Sequence, residues 1–295
     1  MKNLLIAAAV LALLAPVSAS AQFLGKEDNP VTSFPKGAVF WSPKPTTPTP
    51  YTAPNKPHWK LSEILASHKG QSDWVQPIVR NKDQEGDYIS MGAGKKTKQK
   101  MYSDDRVVFI VWDGSIKVTI DGYPAFTATK GFMVNVPFRH MYTLENVGST
   151  PALRFEVRRA GVDPYYAIAE GDTAPQRKGI VYTKVSYRLL PDPYGGVNQP
   201  YVDFFKDWVN NPANKGGGKP FVSDDHNRAN ISRGMGRPTP PDSDKGHFHT
   251  NMAEFWFVPE GRIDFLLEGR KLLTAGEGDV VYAPFSSGEL VALNA

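Results

Sequence analysis

Cysteine is absent from the 295 residues. Its absence excludes disulfides, thiolate metal sites and a cysteine nucleophile, so the fold must be held by packing alone. Histidine is scarce as well, with six residues in the whole chain. After the leader described below, no apolar run reaches the roughly 20 residues that a membrane helix needs, and no membrane span is expected. No G-x-S-x-G elbow occurs, so any hydrolysis would have to use a metal rather than a serine. The charge surplus is small, +4 with Lys2 included. The one basic cluster, "KKTKQK" at 95–100, stands without any organised nucleic-acid motif and reads as a solvated loop, so nucleic acid is not an expected partner.

What is present begins with "MKNLLIAAAVLALLAPVSASAQ". A lysine, an apolar run from Leu4 to Ala15 and a small-residue "ASA" before Gln22 form the three parts of a secretory leader, with cleavage after Ala21. The mature protein is therefore expected to be secreted or periplasmic. Residues 22–57 are rich in Pro and Thr and read as an extended arm. "HWKLSEILASHK" (58–69) places Trp59, Ile64 and Leu65 near one face and predicts a short helix, and "YVDFFKDWVNN" (201–211) predicts a second. Between and after these, β-branched and aromatic runs are cut by Asp-Gly turns, which is hairpin chemistry. Apolar residues make up 41%, enough for a sizeable core.

The strands repeat. "IKVTIDGYPAFTATKGFMVNVPF" (116–138) lies over "IDFLLEGRKLLTAGEGDVVYAPF" (263–285) without a gap. Gly114, Gly122, Gly131 and Pro137 meet Gly261, Gly269, Gly278 and Pro284, each 147 residues on. Glycine and proline punctuate turns, so a constant offset between them marks two copies of one β unit.

The second copy carries the chemistry. In "GHFHTNMAEFWFVPEG", His247 and His249 are two apart and share one face of a strand. Glu254 would face the other way in a straight strand, so a bend or bulge at "TNMA" is expected to re-aim it. Two imidazoles and a carboxylate then suit one divalent ion, Mn, Fe, Zn, Ni or Cu, with positions left open. Taken singly, the histidines would pass for exposed residues at a strand start, and Glu254 for an exposed acid.

His247-x-His249-x4-Glu254-x6-Gly261 followed by Gly278-x5-Pro284 resembles the two-part signature of the cupin superfamily. The resemblance implies an all-β protein of two cupin-like jelly-roll barrels, with a Pro-rich N-terminal arm and a few short helices. The division it suggests is a leader at 1–21, an arm with a short helix at 22–70, a degenerate first barrel at 71–165, an inter-barrel segment with a helix at 166–239, and a metal-bearing second barrel at 240–295. A usual cupin places a third histidine five residues after the motif proline. Here Glu289 stands there, as a fourth ligand, a general base or a solvent-facing acid. A second carboxylate would tilt the site towards Mn or Fe. His226 in "DDHNRAN" is a spare candidate outside the motif.

In the first copy, the offset carries His247, His249, Glu254 and Glu289 onto Lys100, Tyr102, Val107 and Tyr142. These do not form a metal set, and the first barrel is expected to be a packing partner or a metal-free ligand holder. His140, two residues before the expected ligand position, reads as structural. Eleven residues follow Pro284, where a cupin barrel adds a further strand or helix. Either the chain is cut short or its open edge is covered by the arm or by a second copy in a homodimer. The resemblance favours a secreted metal-dependent enzyme of the dioxygenase type, acting on a small oxygen-rich molecule. The alternatives are a metal-dependent lactone or ester hydrolase and a non-enzymatic bicupin that binds sugars or other small ligands.

Overall fold

The computed structural model describes residues 42–168, 173, 176–189, 193–214, 217–224, 227–234, 247–250 and 252–294, with 288–294 described by backbone alone. The leader at 1–21, the first half of the arm and His226 lie outside the described residues. The protein is mainly β, arranged as two jelly-roll barrels, and no helix among the described residues is long and apolar enough to cross a membrane.

The first barrel is two facing sheets. One has six strands, in the order 201–203, 132–136, 107–113, 152–159, 84–91 and 74–80. The other has five, in the order 165–166, 100–101, 142–146, 116–120 and 126–128. Alternation along the strands decides what lies between them. Val107, Phe109 and Val111 point inward with Val118, Val134 and Leu144. Ile110, Leu153 and Phe155 point outward, yet they are buried, because the second barrel covers that face with Val280, Tyr282, Phe255 and Phe257. Tyr88, fully buried there, donates its hydroxyl to the Gly278 carbonyl of the second barrel. Each large side chain in this seam contributes on the order of 1.5–3 kcal/mol by leaving water.

The repeat holds in the register itself. Ile116 pairs with Ala128 and Asn146, and Ile263 pairs with Ala275 and Leu293. Val107 faces Val136, and Glu254 faces Ala283. Gly114, Gly122 and Gly131 have φ of 81°, 86° and 89°; Gly261, Gly269 and Gly278 have 76°, 69° and 76°. These left-handed turns explain why glycine recurs at the offset. Even the two non-glycine residues with positive φ, Arg139 (59°) and Ser286 (60°), are one offset apart.

The closing elements cross over. His58–Trp59 pairs with Val280–Ala283 of the second barrel, and the helix Leu61–Ser67 follows it. Tyr201–Asp203 pairs with Phe132–Val136 of the first barrel, and a single turn of π-helix, Phe204–Val209, follows that. Each strand and helix thus precedes one barrel and closes the other, across the divisions at 70 and 166. The first expected helix is shorter than its sequence pattern: Trp59 belongs to the strand, Leu61 and Ile64 are buried, and Leu65 faces solvent. The second is likewise shorter than 201–211: Tyr201–Asp203 pairs as a strand, and only Phe204–Val209 is helical.

Candidate metal centre

The second barrel has a three-stranded sheet, 58–59, 280–283 and 254–257, and a four-stranded one, 247–248, 288–294, 262–267 and 273–275. The strand His247–Phe248 belongs to the four-stranded sheet, with His247 opposite Glu289 and Phe248 opposite Gly288. Glu254 opens a strand of the other sheet, opposite Ala283. The connection from 249 to 253 therefore crosses from one sheet to the other. It does the re-aiming that the sequence suggested for a bulge: the histidines and Glu254 lie on different strands, so the parity of Glu254 relative to them is irrelevant.

Backbone contacts fix the crossing. The Ser286 N–H donates to the His249 carbonyl at 2.6 Å, as Arg139 N–H donates to the Tyr102 carbonyl at 2.7 Å in the first barrel. In both barrels the donor is the residue with positive φ. The arm reinforces the same rim: Thr49 Oγ1 donates to the Phe285 carbonyl at 2.7 Å, and Tyr51 OH to the Tyr282 carbonyl at 3.0 Å.

His247, His249 and Glu254 come together. Glu254 Oε2 lies 2.8 Å from His249 Nε2 and 3.4 Å from His247 Nε2. The two imidazole rings stand nearly perpendicular, at 87°, with centroids 5.2 Å apart. One ligand atom from each of the three residues falls within a 4.8 Å set. The side chains are 20%, 35% and 29% exposed, a half-open rim that a small molecule can reach. Two nitrogen donors and one carboxylate oxygen converging at this spacing fit a divalent first-row metal and leave coordination positions for other ligands. Below the rim, Trp256 follows Glu254 on the same face, and Phe265, Leu267, Val281 and Ala283 complete an apolar floor.

The other candidates separate. Glu289 lies opposite His247 by backbone register, while its side chain is outside the described residues. His140 is 2% exposed, and its Nδ1–H donates to the Phe138 carbonyl at 2.9 Å, a structural role. At the equivalent rim of the first barrel stand Lys100, Tyr102, Val107 and Tyr142. Burial raises both tyrosines well above the usual phenol range, so they are neutral hydroxyls at pH 7.

Sequence reasoning missed one pair that holds the site's scaffold. Asp279 accepts from the Leu61 N–H at 2.9 Å and the Gly276 N–H at 2.9 Å, and its Oδ2 lies 2.7 Å from His58 Nε2. Burial opposes ionisation of this carboxyl, but the His58, Gly276 and Leu61 contacts outweigh it and hold its pKa below the ordinary value. An aspartate directly after Gly278, with no acid at the matching Phe132, was the available signal.

No protein-family model matches the sequence, and no curated protein sequence does. Solved structures do match. Salicylate 1,2-dioxygenase from Pseudaminobacter salicylatoxidans superposes with a TM-score of 0.57 at 12% identity, covering 85% of this chain and 83% of that one. The same enzyme as adducts with gentisate gives 0.53 at 12% identity, over 80% and 77%. At this identity the likeness is one of fold, and the fold is that of a bicupin.

Proposed function

We propose, from a bicupin fold whose second barrel gathers two histidines and a glutamate at its rim, that the protein is a metal-dependent oxidoreductase of the dioxygenase type acting on a small oxygen-rich molecule. The observation that carries this reading is the approach of both Nε2 atoms to one oxygen of Glu254. His247, His249 and Glu254 would hold the metal, which when bound supplies Lewis acidity and a route for oxygen chemistry. Glu254 adds the one fixed negative charge of the trio, so a 2+ ion held by these three residues alone would keep a net positive charge that draws an anionic or oxygen-rich substrate, a charge that Glu289 as a fourth ligand would cancel. The floor of Trp256, Phe265 and Leu267 takes the apolar part of that substrate and keeps water from beneath it. Glu289, opposite His247 in register, is assigned the role of further ligand or proton acceptor. With that second carboxylate the donor set favours Mn or Fe. The superposing enzyme's name and bound gentisate make hydroxybenzoates the first compounds to try.

The experiment is oxygen uptake by the Fe(II)- or Mn(II)-loaded protein with gentisate, salicylate and a panel of vicinal-oxygen compounds. Substrate-dependent uptake is expected, abolished by chelator and reduced at least about 100-fold in His249→Ala, as loss of a ligand does. Turnover that persists without oxygen would replace this reading with metal-based hydrolysis. We also propose that residues 1–21 export the chain. N-terminal sequencing of the mature protein should begin at Gln22, and an intact Met1 would overturn export.

A further inference from the structure

The segment "IVYTKVSYRL" (180–189) lies between the two barrels in sequence. It contains no Gly, Pro, Asn or Asp, and Gly179 and Pro191 bound it. β-Branched and aromatic residues between such punctuation have the composition of a strand. Val181, Thr183, Val185, Tyr187 and Leu189 fall on alternate positions, which puts them in one row of a paired strand. Yet the segment joins no sheet among the described residues. From 181 to 189 no backbone group is hydrogen-bonded to another backbone group among the described residues. The row is also uncovered: Val181 is 86% exposed, Val185 60%, Leu189 53% and Tyr187 42%.

The segment is nonetheless held in place. Tyr187 meets Tyr165 edge to face with ring centres 5.2 Å apart, and Tyr182 meets Tyr166 in the same way at 5.9 Å. The Arg139 guanidinium lies 5.4 Å from the centre of the Tyr187 ring. Tyr165–Tyr166 is the outermost strand of the five-stranded sheet. Two tyrosines thus tie a strand-like sequence beside a sheet edge, while its backbone and its alternating row stay open to solvent. A solvated loop gains nothing from apolar, aromatic and β-branched residues exposed at period two. Clustered apolar groups beside unpaired backbone mark a surface that pairs with a strand from a partner.

We infer that residues 180–189 are an interaction surface for a second copy of this chain, pairing antiparallel with the same residues across a two-fold axis at Val185. The segment's own pattern selects that partner. In a two-fold contact the same patch must be complementary to itself. Of the antiparallel registers, only the one centred on Val185 maps the whole row onto itself, with Val181 against Leu189, Thr183 against Tyr187 and Val185 against Val185. Charge favours the same register. Lys184 and Arg188 are the segment's charged residues, and both are positive. Centring on Lys184 would oppose two lysines, and centring on Ser186 would oppose Lys184 to Arg188. Centred on Val185, Lys184 faces Ser186 and Arg188 faces the Tyr182 ring, so no like charges are directly opposed. No residue of the metal centre takes part, and this inference is independent of the metal reading.

The test uses the full chain, by sedimentation across a concentration series, hydrogen exchange and thiol cross-linking. The parent should sediment as a dimer, with slowed exchange at the amides of 181–189. Val185→Lys sets two ammonium groups at the axis and should weaken the dimer at least about tenfold, freeing those amides. Val185 is 60% exposed, so the change leaves the fold of the single chain intact. The chain has no cysteine, so a single introduced one reports the register. A short thiol cross-linker should join Val185→Cys to its counterpart. It should not join the two copies of Val181→Cys, which this register sets about 26 Å apart along the strands. The inference is overturned if the parent is a monomer at every concentration, if Val185→Lys dimerises as the parent does, or if Val181→Cys is joined as readily as Val185→Cys. It is overturned equally if the amides of 181–189 stay protected in a monomeric chain, since the strand would then be paired within its own molecule.

Discussion

Lys100, Tyr102 and Tyr142 in the first barrel stand where His247, His249 and Glu289 stand in the second, strand for strand. The scaffolds share register, left-handed turns and even the hydrogen bond from the residue two past the motif proline. What differs is the interior. Both have an apolar core, but the second carries a His/His/Glu rim, whereas the first adds a cluster of acids and cations that includes Lys100, Arg154 and Glu156. A jelly roll is held by its turns and by the faces that pack, so the row that lines the cavity is free to change chemistry. Here the change is confined to part of the first barrel, where strand 152–159 turns Leu153 and Phe155 outward against the partner barrel and Arg154 and Glu156 inward, while the rest of the interior stays apolar.

The barrels also differ in how their closing elements are tied on. In the first, the Phe204 N–H donates to the Gly131 carbonyl at 3.0 Å; in the second, the Leu61 N–H donates to the Asp279 carboxylate. Both close against a glycine. A Cβ at Gly278 would overlap Leu61, and one at Gly131 would overlap the Phe205 ring. The largest effects should therefore come from Gly278→Ala and Gly131→Ala. Each combines left-handed strain with overpacking and should cost about 3 kcal/mol by chemical denaturation. If the two costs differed widely, the equivalence of the two closures would be broken.

Asp279 sharpens the comparison, since only the second barrel has it. Asp279→Asn should destabilise by about 1.5–3 kcal/mol, the worth of hydrogen bonds to a charged group. Its folded pKa is depressed, so its contribution is complete above the unfolded value of about 3.9 and fades as pH falls through the folded value. Hydrogen exchange below pH 4 should thus loosen Leu61–Ser67 before Phe204–Val209. The reverse order would contradict the role assigned to this carboxylate. The smallest effect is expected at Gly122, where φ is 86° but a Cβ meets nothing within 4 Å. Gly122→Ala should cost only the strain of about 1–2 kcal/mol, and Gly269→Ala, with a single ordinary contact to Pro48, should match it.

The repeat and the rim trio were legible because both rest on short-range rules. Glycine marks left-handed turns, and a spacing of two puts His247 and His249 on one face. The sheet crossing before Glu254 was not legible, because a bulge and a change of sheet leave the same sequence trace. The exchanged closures were hidden for another reason. His58 pairs with Val281 through backbone alone, more than 200 residues away, and no side-chain pattern announces it. The charged interior was visible as alternation in "ALRFEVRR", but alternation does not say which row faces in. Only the second barrel, by covering Leu153 and Phe155, decides it.

The central claim is that the second barrel alone holds a metal, through His247, His249 and Glu254. Elemental analysis of the protein after loading and desalting tests it most directly. The account predicts one divalent first-row ion per chain, retained in Lys100→Met and lost in His247→Ala/His249→Ala. A metal-free parent, or a double variant that keeps its ion, would contradict it.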